Sequence, residues 1–303
     1  MKRKAYGRDV GLSARMVLTT GLLGLLYVLF FLVLLNFTGL GLIPMVVIVF
    51  GLAAFQYFTS AKLALLASGA KVVERDEAPE LHDMIERLCA MSDLPKPKVA
   101  VVDTPVPNAF ATGRNPQNSA VAVTTGLWNR LDKAEIEGVL AHELSHIANR
   151  DVLVMTLASF FAMLAGLLAR FGLYGGMFGG GDRDRGGGAP VWLIVFLVSI
   201  ATYILSFILI RTISRYREFA ADRGAAIITG APENLMSALQ RIASGMATIP
   251  QRDLRQVETM NAFFIIPTGV KSTLGELFAT HPPLEKRLAR LSELAREMGR
   301  PVQ

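Results

Sequence analysis

Two histidines stand four residues apart around a glutamate in "AHELSHIANRD", residues 141–151. On a helix, such residues stack on one face about 6 Å apart along the axis, so His142 and His146 aim ring nitrogens at one point. Glu143 then lies about 100° round the same helix. This is H-E-x-x-H, in which two nitrogens bind a metal at about 2.0–2.1 Å and a carboxylate stands beside a water. The competing reading is a pair of core histidines satisfied by hydrogen bonds.

The helix that must carry these groups has its own signals. Asp132 and Glu135 fit a capping box, and Ile136, Val139, Leu140 and Ile147 supply an apolar face. A catalytic zinc site needs a third protein ligand and one open position for water. The candidates are His281, His82 and the carboxylates of "RTISRYREFAADRGA", residues 211–225. Glu218 and Asp222 are again four apart on one helical face. Glu218 suits the third ligand, and Asp222 suits an outer acceptor that takes a proton from a ligand histidine and fixes its tautomer. On spacing alone, an exposed charged helix pairing with Arg215 or Arg223 fits equally well.

Topology breaks that tie. The chain is 52% hydrophobic and 18% charged with a mean hydropathy of +0.41, too apolar for an ordinary soluble domain and too charged to lie wholly in lipid. Four uncharged stretches have about the 20 residues a membrane helix needs: Val17 to Leu35, Leu40 to Phe58, Val152 to about Ala169, and Val191 to Ile210. The first is followed at once by the second with no cleavage signal, so it reads as a retained anchor. Basic residues before the first span (Lys2, Arg3, Lys4, Arg8, Arg15) and after the second and fourth (Lys62, Lys71, Arg211, Arg215, Arg217) predict cytoplasmic termini. His146 precedes the third span and Glu218 follows the fourth, so continuing helices would carry both about 9–12 Å beyond one membrane face. The spans are thus expected to be extensions of the ligand helices, with the third and fourth forming a hairpin that joins the two halves of the site.

The expected fold is a mainly α membrane protein with four transmembrane helices and a cytoplasmic α+β zincin domain of the gluzincin kind, carrying a small β-sheet. Residues 1–61 form a transmembrane hairpin, 62–151 the first part of the catalytic domain, 152–210 a second hairpin, and 211–303 the second catalytic part. Short strands are expected at Val99 to Val102, Ala109 to Thr112 and Ala120 to Thr124, one of them an edge strand that could pair with an extended substrate. The Gly-rich loop 175–190 reads as an extracytoplasmic linker. "MNAFFIIP", residues 260–267, is too short to span; burial in the catalytic core and contact with the membrane surface are both open. Cys89 is the single cysteine, which excludes an internal disulfide, and it reads as a core residue of an amphipathic helix that also holds His82. The net charge of +6 needs no nucleic acid, because basic residues beside anionic lipid account for it.

Four motifs in order, "VPNAFATG" (106–113), "AHELSHIANRD", "SRYREFAADR" (214–223) and "FATHPPLEKRLARL" (278–291), resemble the HtpX homologues of the M48 membrane zinc metallopeptidases, which also include the Ste24-type CAAX-prenyl proteases. The resemblance covers nearly the whole chain. It implies one Zn²⁺ per chain held by His142, His146 and Glu218, with Glu143 as catalytic base and Asp222 behind a ligand, and "NAFATG" (Asn108, Ala109, Phe110) lining the substrate site. His281, at a Pro-Pro turn before a helix from Leu284 to Met298, is read either as an oxyanion stabiliser or as a helix-capping residue. The resemblance further implies unfolded or damaged membrane and cytosolic proteins as substrates, self-cleavage, a place in membrane protein quality control overlapping an ATP-dependent membrane protease, and a multi-pass location in a bacterial-type inner membrane. A Ste24-like processing role is the runner-up. An intramembrane-cleaving protease would need the motif inside a span, and a non-enzymatic scaffold would leave Glu143 without a task.

Overall fold

The fold is described from a computed structural model, in which residues 10–37, 41–178, 191–248 and 281–300 are described. The segment 260–267 and most of the Gly-rich loop lie outside those residues. In chain order the elements are helices α1 (Val10–Phe37) and α2 (Leu42–Ala67), strand β1 (Lys71–Val72), helix α3 (Pro79–Ser92), strands β2 (Lys98–Val102), β3 (Ala109–Asn115) and β4 (Asn118–Thr124), then helices α4 (Thr125–Arg130), α5 (Lys133–Ala148), α6 (Asp151–Phe178), α7 (Val191–Thr229), α8 (Pro232–Thr248) and α9 (Leu284–Glu297). The chain divides into two units. One takes in Thr59–Leu153 and Ser214–Gln303 with the stretch Met1–Leu12; the other holds Ser13–Phe58 and Val154–Ile213.

In the first unit, four strands lie in the order β1-β2-β4-β3. β3 and β4 form an antiparallel hairpin, and β2 runs parallel to β4. The three expected strands are present. β1 was not anticipated: two residues are too short to show alternation. Because side chains alternate along a strand, the sheet has two buried faces. Val99, Ala109, Val121 and Val123 join the main core with α3, α5, α8 and α9, while Ala100, Val102, Phe110 and Ala122 form a second cluster with Leu65 and Ala70.

Helix α5 is the centre of this unit. Asp132 accepts from Glu135 N at 2.9 Å, and the Glu135 carboxylate returns to Asp132 N at 3.0 Å, closing the capping box. The same carboxylate is tied to α8, Oε1 accepting from Ser237 Oγ and Oε2 from Arg241 Nη1, both at 2.6 Å. Two glycines allow helices to approach closely. A Cβ on Gly138 would stand 2.9 Å from Leu235 N of α8, and one on Gly224 would stand 2.8 Å from Ser145 Cβ.

Three described helices are long and apolar enough to cross a membrane: Val10–Asn36, Leu42–Ala67 and Val191–Thr229. The expected third span corresponds to a shorter apolar stretch, Val154–Arg170, within α6. In the second unit, Phe30, Leu34, Met45, Val49 and Phe160 share one core, and Leu23, Tyr27, Ala158 and Ile213 another.

One expectation is corrected. The ligand helices continue into the apolar stretches on only one side: α7 runs unbroken from Val191 to Thr229, but α5 stops at Ala148 and α6 starts afresh at Asp151. Arg150 between them has φ 57°, the left-handed conformation that ends a helix.

Candidate metal centre

His142 and His146 project from the buried side of α5, and their Nε2 atoms lie 3.2 Å apart. Glu218 on α7 brings Oε2 to 3.5 Å from His142 Nε2 and Oε1 to 3.5 Å from His146 Nε2. Among the described residues these three are the one group of metal-ligating type whose donor atoms all fall within 4.8 Å of one another. All three are buried.

The outer nitrogens decide what the inner ones are. His146 Nδ1 lies 2.7 Å from Asp151 Oδ2, and His142 Nδ1 lies 3.0 Å from Asp222 Oδ1, the latter out of line for a well-formed hydrogen bond. Carboxylate oxygens only accept, so a neutral ring at either position, the form that binds a metal, carries its proton on Nδ1 and turns a lone pair inward from Nε2. Two such lone pairs beside the carboxylate of Glu218, whose Oε2 is buried without a hydrogen-bond partner, repel unless a cation stands among them. For a tetrahedral Zn²⁺ with bonds of about 2.0–2.1 Å, neighbouring ligand atoms should lie about 3.3 Å apart. The observed separations fit that requirement, and two imidazoles with one carboxylate are a donor set of catalytic zinc sites.

Around this group the charges are arranged in layers. Arg287 on α9, 2% exposed, grips Asp222 with two bonds, Nε to Oδ2 at 2.9 Å and Nη2 to Oδ1 at 2.6 Å, and its Nη1 lies 3.5 Å from Glu218 Oε2. His281 places Nδ1 3.2 Å from the same Glu218 oxygen. Burial alone would raise the Glu218 pKa, but His281, His142 and His146 hold the carboxyl well below its ordinary value. Asp222 is likewise pushed up by burial and brought below its ordinary value chiefly by Arg287. Glu143 goes the other way: burial raises it, and the nearby histidines only partly oppose. A carboxyl raised in this manner is a better proton acceptor near neutrality than a solvated one.

Glu143 also receives a backbone bond that the sequence does not announce: Ala111 N donates to its Oε2 at 2.8 Å. Ala111 lies on β3, an edge of the sheet, so this N–H points away from β4 and towards α5. The neighbouring "NAF" residues are packed within the sheet. Asn108 is fully buried with its backbone bonded to Thr124, Ala109 belongs to the main core, and Phe110 lies in the cluster on the opposite sheet face. His82 stands apart, with Nε2 3.1 Å from Val73 O.

The structure therefore brings His142, Glu143, His146, Glu218, Asp222 and His281 together. Arg287, Asp151, Arg217 and Ala111 are the members that sequence reasoning missed. Arg287 sits in "LEKRLAR", where a basic residue reads as solvated surface. The signal available was position: it recurs with Leu284, Leu291 and Leu294 on the buried side of α9.

The chain is similar to known proteins over most of its length. The sequence profile of peptidase family M48 matches residues 75–295. Protease HtpX homolog 2 of Methanosarcina acetivorans is 54% identical over 300 residues, covering 99% of this chain and 100% of the relative. The Protease HtpX homolog of Moorella thermoacetica is 54% identical over 298 residues, covering 98% of each. Among solved structures, the crystal structure of S. mikatae Ste24p superposes with a TM-score of 0.53 at 21% identity, covering 93% of this chain and 66% of the other; that likeness concerns the fold alone.

Proposed function

Since the chain belongs to peptidase family M48 and is a membrane zinc protease, we propose that His142, His146 and Glu218 hold the catalytic metal and that Glu143 moves the proton during peptide hydrolysis. The observation that carries this reading is the pair of inward ring nitrogens, 3.2 Å apart, on imidazoles whose outer nitrogens both face carboxylates. Zinc bound there supplies a Lewis acid for the scissile carbonyl and makes a water acidic enough to attack near neutral pH.

The protein's own groups do the rest. Glu143, raised by burial, takes the proton from the attacking water and passes it to the departing amine. Ala111 N–H holds that carboxylate by one oxygen and leaves the other free. His281 is our candidate for the donor that stabilises the oxyanion, because its ring lies beside a ligand oxygen rather than out in solvent. The edge of β3 next to α5 suits an extended segment of substrate, bound through its main chain with little sequence preference. Asn108, Ala109 and Phe110 would shape that edge from within the sheet.

The substrates we propose are unfolded or damaged membrane and cytosolic proteins, as the HtpX likeness implies. We place the enzyme in a bacterial-type inner membrane with four spans, α6 supplying the shorter one, and with termini and active site cytoplasmic. The basic flanks of the apolar stretches support that orientation. The test is Glu143→Gln. Zinc should be retained and cleavage of an unfolded protein should fall by about two to four orders of magnitude, the usual worth of a positioned base. Cleavage at the wild-type rate would remove Glu143 from the mechanism.

A further inference from the structure

Asp151 is a buried carboxylate that the hydrolytic scheme does not use, at 2% exposure. It is the first residue of α6, and both of its oxygens are engaged. Oδ2 lies 2.7 Å from His146 Nδ1, and Oδ1 lies 3.0 Å from Arg217 Nε of α7. Arg217 is itself buried, and it is the immediate neighbour of Glu218 in the chain. Three separate segments therefore meet at one carboxylate: the end of α5, the start of α6 and the turn of α7 that carries the third ligand.

We infer that Asp151 and Arg217 are positioning residues for the metal centre. Asp151 keeps the His146 proton on Nδ1 and its ring turned inward, and Arg217, 3.0 Å from the other carboxylate oxygen, fixes Asp151 in that setting. The inference rests on the zinc reading above. A ligand imidazole whose outer nitrogen is bound to a carboxylate is a stronger and better oriented donor, and loss of such a partner lowers metal affinity by about 10–100-fold. A buried carboxylate with no cation beside it is costly, so Arg217 must act through Asp151 rather than on the metal. The contact depends on the helix break at Arg150: Asp151 lies five positions after His146, a spacing that unbroken helix would not bring face to face.

The alternative is that Asp151 serves only the first turn of α6, where an acidic residue is favourable in any helix. Zinc binding separates the two. The full-length protein in detergent, carrying Glu143→Gln so that it does not cut itself, is stripped of metal, and its affinity is measured by competition with a chromophoric zinc chelator. Asp151→Asn should bind zinc about 10–100-fold more weakly, and Arg217→Met about tenfold more weakly. With Co²⁺ in place of zinc, the visible absorption band should shift in both. Melting of the metal-free protein shows whether folding is intact; if Asp151→Asn fails to fold, Arg217→Met decides. Unchanged zinc affinity and an unchanged Co²⁺ band in folded variants would overturn the inference. A parent protein that binds no zinc would overturn the metal centre itself, and this proposal with it.

Discussion

The two units bury their polar groups in different currencies of charge. In the catalytic unit the buried set includes Glu135, His142, Glu143, His146, Asp151, Arg217, Glu218, Asp222 and Arg287, almost all ionisable groups facing an opposite partner. In the apolar unit the buried polar side chains described are Thr19, Ser199, Thr202 and Ser206, all neutral hydroxyls. Two of its inter-helix bonds run from neutral donors to backbone carbonyls: Tyr27 Oη to Ala158 O at 2.8 Å and Gln56 Nε2 to Thr156 O at 3.3 Å. The difference follows from the surroundings. A helix in lipid satisfies its own backbone and gains little from a charge it must desolvate, whereas a metal site needs charge and must balance it on the spot.

Breaking a charged pair should therefore cost much more than breaking a neutral one. Arg287→Met leaves Asp222 as a buried carboxylate without its two-bond partner, and it should destabilise the metal-free protein by about 3–5 kcal/mol. Denaturant unfolding followed by the fluorescence of Trp128, which packs on the same core, would measure it. A loss below about 1 kcal/mol would mean that the pair is not what holds α9 in place. Tyr27→Phe removes one neutral bond from the apolar unit, and inter-helix hydrogen bonds there average about 0.6 kcal/mol. A loss as large as that of Arg287→Met would erase the contrast between the units.

The smallest effect at neutral pH concerns Cys89, a buried thiol whose one bond is a long donation to Pro95 O at 3.9 Å. Burial pushes its thiol up to about 11, against 9.0 when unfolded. Because the folded protein binds that proton more tightly, the associated stability is complete below about pH 9 and is lost as pH rises towards 11. Alkylation by iodoacetamide at pH 8 should be slow until the protein unfolds. Fast labelling of folded protein would show that α3 opens readily.

The legible part of this molecule was whatever repeats at a fixed helical spacing. His142, Glu143, His146, Glu218 and Asp222 lie at intervals that one helix face can read, and the capping box at Asp132 needs no tertiary knowledge. What escaped depends on three-dimensional context. Asp151 reaches His146 only because the helix breaks at Arg150, and nothing in "ANRD" announces a left-handed residue that is not glycine. Arg287 is separated from Asp222 by 65 positions and resembles its exposed neighbours in type. Ala111 acts through its backbone, which no side-chain pattern can reveal. The helix break after Ala148 was missed because the apolar run beyond it looked like a continuation.

The unbroken helix α7 has one more implication. Glu218 and Asp222 hang from the same rod that begins at Val191, so their angular setting is fixed by the number of residues before them. Adding or deleting a single residue between Ile210 and Arg217 would swing both carboxylates by about 100° relative to the earlier turns of α7 itself. Helix length in that stretch is thus under the same constraint as the ligands, and sequence drift there can exchange exposed side chains but cannot change the residue count.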